Sequence, residues 1–412
     1  MANNNKHTGP NVPALRFPEF SGEWIESKLG DIADFSKGAG ISKDQRSEKG
    51  NPCILYGELY TRYKSEVITN VFSKTALPDS ELVKSKANDI IIPASGETAE
   101  DIATARCVPF DNILLGGDLN IIRLHEQDGK FFSYQLNGVR KYDIATVAQG
   151  VSVIHLHAGD LKGIIVKYPS HIAEQEKISQ ILGLIDDRIA TQSKIIEELK
   201  TLRGALVDTY INDGNNNNEN QTIMSLGAYG CFVRGLTYSS VDVTDNTATT
   251  GVVRSNNLEY GSPVDIKADL VYVTKKPSPE QMLVNGDIVI CMANGSSSLV
   301  GKASNYQELC RNMTVGAFCG IYRGTHPLTK WIFMSSAYCK AVANAIQGGN
   351  GAIANLHAED ILSMCFAVPS DYKTITELEK LLSLFDEKLH AAEEQLARFI
   401  EQKKYFLFKM FI

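Results

Sequence analysis

The chain contains the same short segment twice, 200 positions apart. Residues 156–163 read Leu-His-Ala-Gly-Asp-Leu-Lys-Gly, and residues 356–363 read Leu-His-Ala-Glu-Asp-Ile-Leu-Ser. Other matches follow at similar offsets, such as Leu29-Gly30 with Leu226-Gly227. The 412 residues are therefore a tandem duplication of a unit of nearly constant length. Two such units can meet a partner that is itself nearly two-fold symmetric, and duplex DNA is the commonest partner of that kind.

The two halves differ strongly between these matching segments. Cys53-Ile54-Leu55-Tyr56-Gly57-Glu58 has little in common with Gly251-Val252-Val253-Arg254-Ser255-Asn256 at the corresponding place. A shared scaffold with divergent inserts predicts two related modules that recognise different things.

Composition limits the class of protein. The 43% apolar and 22% charged residues are typical of a soluble globular chain, and its length fits two domains of about 150 residues plus connectors. No apolar run reaches the ~18 residues of a membrane span. The eight cysteines form no C-x-x-C pair, which favours a reduced cytoplasmic protein without a metal site. The net charge of −7 predicts that positive charge is local or that a partner supplies it, if DNA is bound.

Short strands and helices are predicted in both halves. Apolar runs at 89–93, 119–124 and 287–291 indicate strands, and residues 131–140 and 331–345 indicate helices.

Each half ends in a long amphipathic helix. In each helix, apolar residues recur alternately four and three positions apart, which is the spacing of a heptad seam. Arg203 and Lys403 occupy the next positions of the two seams. The first seam comprises Ile178, Leu182, Ile185, Ile189, Gln192, Ile196 and Leu199, and the second, at a constant offset of 200, comprises Leu378, Leu382, Phe385, Leu389, Ala392, Leu396 and Phe399. The seams either face each other, with Gln192 and Ala392 near mid-length, or each packs on its own domain.

The linker between the halves indicates the direction of the helices. A helix over residues 174–210 is about 55 Å long, whereas the ten-residue polar linker after it spans at most about 35 Å. Antiparallel helices need no return path, so we predict a globular domain at each end of the pair. The predicted fold class is α+β, with two tandem recognition domains, each followed by a long helix, and the helices forming an antiparallel coiled coil with pseudo-two-fold symmetry.

These patterns give domain boundaries. We predict a disordered tail at 1–20, a first recognition domain at 21–170, a central spacer helix at 171–211, a polar linker at 212–221, a second recognition domain at 222–370 and a C-terminal spacer helix at 371–412.

Several motifs together resemble the specificity subunit of type I restriction–modification systems. They run from Leu29-Gly30-Asp31-Ile32 through Gly-Glu-Leu-Tyr (57–60), Pro-Ala-Ser-Gly-Glu-Thr (93–98), Gly-Gly-Asp-Leu-Asn (116–120) and Ala-Gln-Gly-Val-Ser (148–152) to Glu-Gln-Glu-Lys-Ile (174–178). The resemblance extends over the whole chain, although residues 369–375 keep the Pro of the first half and lack its Glu-Gln pair.

The resemblance implies a non-catalytic subunit that binds a bipartite, asymmetric DNA target, one half-site per domain. The helices would dock two modification (methyltransferase) subunits, which methylate adenine with S-adenosylmethionine. Two restriction subunits using ATP and Mg would join them to cut unmethylated DNA. No P-loop, Asn-Pro-Pro-aromatic, H-E-x-x-H or G-x-S-x-G motif occurs in the sequence, so we expect the chain itself to hold no cofactor or metal.

Candidate DNA contacts are polar residues of the divergent loops, because the two half-sites must differ. In the first domain they are Lys37, Lys43, Arg46, Tyr56, Glu58, Tyr60, Arg62, Ser95, Glu97 and Thr98. In the second they are Arg234, Tyr238, Arg254, Asn256, Asn257, Asn294, Ser296, Arg311 and Asn312. The alternative for each is a solvated surface residue.

Three further interpretations remain open at the level of sequence. Gln149-Gly150 and Gln347-Gly348 are shared, so they indicate turns, with or without a phosphate contact. His155 and His157 are interpreted as structural rather than metal-binding, since the second copy keeps only His357. The competing functions are a reduced restriction–methylation enzyme and a non-DNA tandem scaffold that joins two protein partners through the coiled coil.

Overall fold

The structure is a computed structural model that divides into two compact units. Its described residues are 11–78, 80, 82–214, 219–267, 269–307, 312–346 and 353–412. Unit 1 consists of the chain up to Lys194 together with Glu393–Ile412, and unit 2 consists of Ile195–Ala392. The boundary falls inside each long helix, so each unit contains one recognition domain and segments of both helices.

Unit 1 is built from short strands and a few helices. Its strands are β1 Ile25–Lys28, β2 Ala33–Lys37, β3 Arg46–Ser47, β4 Asn51–Ile54, β5 Ser73–Thr75, β6 Val83–Lys84, β7 Asp89–Pro93, β8 Ser95–Gly96, β9 Arg106–Val108, β10 Leu114–Leu115, β11 Leu119–Leu124, β12 Ile154–His155 and β13 Ile165–Tyr168. Its helices are α1 Glu58–Thr61, α2 Ala99–Ile102, α3 Gly129–Asn137, α4 Lys141–Val147 and α5 Ala158–Lys162, followed by the long α6 Ile172–Tyr210, which continues into unit 2.

Unit 2 has a similar order of strands. Its strands are β14 Gln221–Ser225, β15 Gly230–Arg234, β16 Val243–Thr244, β17 Thr250–Val253, β18 Val271–Val273, β19 Ile288–Cys291, β20 Ala293–Asn294, β21 Ala303–Asn305, β22 Met313–Val315, β23 Cys319–Gly324, β24 Ala354–Asn355 and β25 Cys365–Pro369. Its helices are α7 Thr329–Ile332, α8 Ser336–Ala345 and α9 Ala358–Ser363, followed by the long α10 Tyr372–Lys409, which continues into unit 1.

The sheets of the two units have matching strand orders. The sheet β2-β11-β7-β9 corresponds to β15-β23-β19-β21, and β3-β5-β4-β10 corresponds to β16-β18-β17-β22, with β6 added at the edge in unit 1. In both units the pairing of β4 with β10, or of β17 with β22, is parallel. The duplication visible in the sequence is therefore a duplication of topology.

An ion pair between a buried carboxylate and a partly exposed arginine recurs at the same place in each unit. Arg123 donates two hydrogen bonds of 2.7 Å to Asp89, which is 1% exposed. Arg323 donates two bonds of 2.8 and 2.7 Å to Asp287, also 1% exposed. Bidentate arginine pairing compensates for the loss of carboxylate hydration. Each pair fixes two adjacent strands of the sheet.

The predicted strands at 89–93, 119–124 and 287–291 are confirmed as β7, β11 and β19, the last beginning at Ile288. The helix predicted over 131–140 is α3, three residues shorter at its end. The single helix predicted over 331–345 is wrong, because α7 ends at Ile332 and α8 begins at Ser336. The hydroxyl of Ser335 accepts a hydrogen bond from the amide of Tyr338, which caps α8 and starts a new helix there.

The predicted disordered tail is wrong for residues 11–20. The guanidinium of Arg16 donates two hydrogen bonds of 2.8 Å to Glu174, whose side chain is fully buried. The amide of Leu15 donates to the carbonyl of Lys409. Burial of the Glu174 carboxylate requires a cation, and the segment 11–20 supplies it. Residues 1–10 lie outside the described residues.

The two long helices run antiparallel. Within unit 1, Lys403 of α10 binds Asp186 of α6, and within unit 2, Asp386 of α10 binds Arg203 of α6. Along α6 the paired residues run from Asp186 to Arg203, whereas their partners on α10 run from Lys403 back to Asp386.

Over the described ranges, no helix is long and apolar enough to cross a membrane.

Candidate nucleic-acid interface

Unit 1 carries a cleft of about 780 Å³ beside the loop that follows β4; we call it cleft 1. One wall is the segment that leads into β3, and the other is the turn at Gly117-Asp118 before β11. Cleft 1 is lined by Gly40, Ile41, Ser42, Lys43, Gln45, Arg46, Leu55, Tyr56, Gly57, Glu58, Tyr60, Thr61, Glu97, Gly117 and Asp118.

Cleft 1 brings together six of the ten residues predicted for the first half-site, namely Lys43, Arg46, Tyr56, Glu58, Tyr60 and Glu97. Four others do not line it. Lys37 is exposed at the end of β2, Arg62 lies over the ring of Phe72, and Ser95 is buried in β8. Thr98 caps α2 by accepting from the amide of Asp101 at 3.1 Å.

Glu58 lines cleft 1 with a carboxylate that is largely buried and hydrogen-bonded within the protein. The residue is 7% exposed. Its carboxylate accepts hydrogen bonds from the amide of Leu55 at 3.2 Å and the hydroxyl of Ser73 at 2.5 Å. Arg62 and Arg46 approach it at 3.6 and 4.0 Å. Sequence alone could not show this, because the partners lie as far as fifteen residues away.

Tyr60 lines this cleft with a phenol that can donate a hydrogen bond. Burial raises the pKa of its phenol, and the neighbouring Tyr56, Glu97 and Asp101 raise the pKa further. The hydroxyl therefore keeps its proton at neutral pH.

Unit 2 carries a cleft of about 540 Å³, cleft 2, lined by Tyr238, Arg254, Ser255, Asn256, Gly316, Ala317, Phe318 and Cys319. It contains three of the residues predicted for the second half-site: Tyr238, Arg254 and Asn256. The guanidinium of Arg254 donates to the carbonyl and the carboxylate of Asp269, both at 3.1 Å.

The other predicted residues of unit 2 that the structure describes do not line cleft 2. Arg234, Ser296 and Asn312 are exposed, and Asn294 is half-buried with its amide 3.3 Å from Ser255. Arg311 lies outside the described residues. Asn257 is 1% exposed, and its side chain accepts from the amide of Arg254 at 2.9 Å and donates to the carbonyl of Asp265 at 3.1 Å. Asn257 therefore caps this loop.

The two clefts occupy the same scaffold position. Cleft 1 lies between the segment after β4 and the turn before β11, and cleft 2 lies between the segment after β17 and the turn before β23. Their side chains differ: Asp118 in cleft 1 stands where cleft 2 has Phe318, which is 64% exposed. The sequence prediction missed these two residues, although the alignment of Gly116-Gly117-Asp118 with Gly316-Ala317-Phe318 gave the signal.

The Gln149-Gly150 turn is a hairpin beside cleft 1. Gln149 and His155 exchange backbone hydrogen bonds of 2.9 and 2.7 Å. β12 pairs with β8, and Glu97 of the cleft follows β8 directly.

His155 and His157 are exposed and stack with their ring centroids 6.4 Å apart. Among the described residues, no group of three His, Cys, Asp or Glu side chains is placed to hold a metal ion. Gln347 and Gly348 lie outside the described residues.

The seam residues of the two long helices are all buried or half-buried, including Gln192 and Ala392 at 8% exposure each. Ile178 and Leu182 belong to the hydrophobic core of unit 1, and Leu378 and Leu382 belong to that of unit 2. The first part of each seam therefore packs on a recognition domain.

Each sequence comparison matches less than half of the chain. Residues 21–201 match the family model "Type I restriction modification DNA specificity domain". The chain is 27% identical over 192 residues to the type I restriction enzyme EcoKI specificity subunit of Escherichia coli (strain K12). It is 29% identical over 181 residues to the StySPI specificity subunit of Salmonella potsdam. These alignments cover 45% and 42% of this chain and only 40% and 38% of those proteins.

Structural comparisons extend over almost the whole chain. The type I restriction–modification S subunit from M. genitalium aligns with a TM-score of 0.62 at 16% identity, covering 97% of this chain and 99% of its own. A second structure, which concerns complex assembly and conformational transition of the type I R-M system, aligns with a TM-score of 0.52 at 12% identity, covering 93% and 96%. At these identities the likeness shows the fold. Residues 21–201 thus resemble the type I restriction modification DNA specificity domain, and the chain as a whole has the fold of the S subunit from M. genitalium.

Proposed function

We propose that this chain reads a bipartite DNA sequence for a type I restriction–modification complex, with one half-site in each cleft. The observation that carries the proposal is that two clefts occupy the same scaffold position and present different side chains. A shared position holds both clefts against DNA in the same way, and differing side chains select different bases. The half-sites are therefore unlike, and the target is asymmetric.

The polar groups of the clefts suit base edges. Cleft 1 offers Lys43, Arg46 and Tyr60 as donors and Glu97 and Asp118 as acceptors. Cleft 2 offers Arg254 and Asn256 beside the apolar Phe318, a combination suited to guanine or adenine edges and the thymine methyl group. The chain carries a net charge of −7, so partner subunits supply much of the phosphate neutralisation.

The long helices dock the partner subunits in this proposal. Leu184 of α6 and Leu384 of α10 stand at equivalent positions and are 56% and 46% exposed. An exposed leucine repeated on both copies supports two equivalent docking sites, one for each of two methyltransferase subunits. Those subunits would hold S-adenosylmethionine, two restriction subunits would hold ATP and Mg, and this chain would catalyse no step itself.

The test is a map of N6-methyladenine in the source genome with and without this gene. The proposal predicts that deletion removes one bipartite methylated motif and that re-expression restores it. If co-expression with the cognate methyltransferase subunits in a methylation-free host produces no motif, the DNA-reading function is wrong. A scaffold that only joins proteins would bind those subunits and leave DNA unmarked.

A further inference from the structure

The residue that caps the loop after β4 in unit 1 differs in charge from the residue that caps the equivalent loop after β17 in unit 2. Thr75 of β5 pairs with both Arg46 and Asn51, and Val273 of β18 pairs with both Val243 and Thr250. This register makes Arg46 equivalent to Val243. It also makes Glu58 equivalent to Asn257, and each of them caps the loop by accepting from the amide three residues before it.

The cap itself requires no charge. Asn257 performs it as a neutral amide at 1% exposure, whereas Glu58 places a carboxylate at the same position at 7% exposure. A buried carboxylate costs hydration free energy unless a cation is near. In unit 1 the cations are Arg46 and Arg62, and in unit 2 the position of Arg46 is the apolar Val243. Unit 1 therefore has both the acid Glu58 and the cation Arg46, whereas unit 2 has neither an acid nor an arginine at the equivalent positions.

The two arginines beside Glu58 have different surroundings. Arg62 lies over the ring of Phe72, 4.5 Å from its centroid, and does not line the cleft. Arg46 lines cleft 1 with its side chain 39% exposed. The Nε atom of Arg46 donates to the carbonyl of Lys43 at 3.1 Å, and one terminal nitrogen lies 4.0 Å from Glu58. These contacts limit the directions in which the guanidinium can point.

We propose that Arg46 reads a guanine of the first half-site and that Glu58 is the positioning residue that holds it. This inference rests on the proposed function. A guanidinium fork matches the O6 and N7 acceptors of guanine in the major groove. The carboxylates of Glu97 and Asp118 in the same cleft repel a phosphate, whereas a carboxylate accepts well from the N4 amine of the paired cytosine. A G·C pair therefore fits this cleft better than a phosphate.

The experiment uses the full chain with its methyltransferase subunits in a methylation-free host, and maps N6-methyladenine at single-base resolution. Arg46→Ala is compared with Arg46→Lys, which keeps the charge and loses the fork, and with Glu58→Gln, which keeps an acceptor for Leu55 and Ser73. Arg62→Ala is the matched control, because Arg62 contacts the same carboxylate outside the cleft. Thermal melting verifies that each variant is folded.

We expect a guanine in the half-site read by unit 1. Arg46→Ala should reduce discrimination at that base roughly 10- to 100-fold and leave the second half-site and the spacer unchanged. Arg46→Lys and Glu58→Gln should relax the same base to a smaller extent, and Arg62→Ala should keep the motif.

Two outcomes overturn the assignment while the proposed function stands. In one, the wild-type complex marks a bipartite motif and Arg46→Ala lowers methylation evenly without changing the motif, as loss of a phosphate contact would. In the other, the relaxed base is not guanine. A folded wild-type complex that marks no motif would overturn the proposed function and this inference together.

Discussion

Lys403 binds Asp186 with its Nζ atom 2.6 Å from Oδ1, and both side chains are largely buried. The equivalent residues 200 positions away are Arg203 and Asp386, which form the same contact at 2.6 Å with the copies exchanged. Each pair thus joins an acid of one copy to a base of the other. The duplication preserved the antiparallel pairing of the helices as well as the fold of the domains.

Removal of the Lys403 charge should destabilise unit 1. Lys403 also contacts the buried Glu66, so Lys403→Met leaves two carboxylates without their shared cation. We expect a loss of roughly 3 kcal/mol in the free energy of unfolding of unit 1.

The chain has two tryptophans, Trp24 in unit 1 and Trp331 in unit 2, so urea unfolding of unit 1 can be followed by fluorescence in a Trp331→Phe background. Lys404→Met changes the exposed neighbour and is the control. Equal midpoints for the two methionine variants would contradict the buried pairing.

Glu66 should make the stability of unit 1 depend on pH. Burial raises the pKa of its carboxyl above the ordinary value of 4.5; Lys403 and Arg106 oppose the increase in pKa, and Asp186 adds to it. The folded state therefore keeps the proton longer than the unfolded state, and this stabilising contribution decreases as pH rises above about 4.5. Glu66→Gln lacks this titration.

The measurement is the free energy of unfolding of wild type and Glu66→Gln from pH 4 upward. The stability of Glu66→Gln relative to wild type should increase with pH and level off above the folded pKa of Glu66. Two parallel curves would show that burial leaves the titration of Glu66 unchanged.

Asn257 and Asn256 are adjacent, but Asn257 is a buried loop cap whereas Asn256 is an exposed residue of cleft 2. Asn257→Ala should cost unit 2 about 1–2 kcal/mol, because the amide of Arg254 and the carbonyl of Asp265 lose their partners. Asn256→Ala, at an exposed position in cleft 2, should change stability by less than about 0.5 kcal/mol. Unfolding followed by Trp331 fluorescence in a Trp24→Phe background distinguishes them. A smaller loss for Asn257→Ala than for Asn256→Ala would refute the cap assignment.

The sequence predicts the duplication, the main strands and both long helices, because these depend on local patterns such as the heptad step from Ile178 to Leu199. It does not predict the burial of Glu58 or of Asn257, because their polarity resembles that of surface residues and their partners come together only in the folded sheet. The segment 11–20 was missed for the same reason: the acceptor of Arg16 is Glu174, 158 residues away.

The exposed Leu184 and Leu384 of the long helices should determine how many methyltransferase subunits bind. We expect Leu184→Glu or Leu384→Glu to weaken one of two methyltransferase docking sites at least 10-fold, and the double variant to weaken both. Mass measurement of complexes formed with the methyltransferase subunit at limiting concentration gives the stoichiometry. Ile223→Glu, at a 61% exposed position on β14, is the control. Unchanged stoichiometry in the double variant would place docking elsewhere.

We propose that each cleft reads its own half of one target. The most direct measurement is the N6-methyladenine map produced by a variant of cleft 2 alone, with Tyr238, Arg254 and Asn256 replaced by alanine, beside the wild-type complex. We expect one half-site to lose base discrimination while the other half-site and the spacer length stay as in wild type. A motif that changes in both halves, or one that changes in neither half while methylation persists, would contradict it.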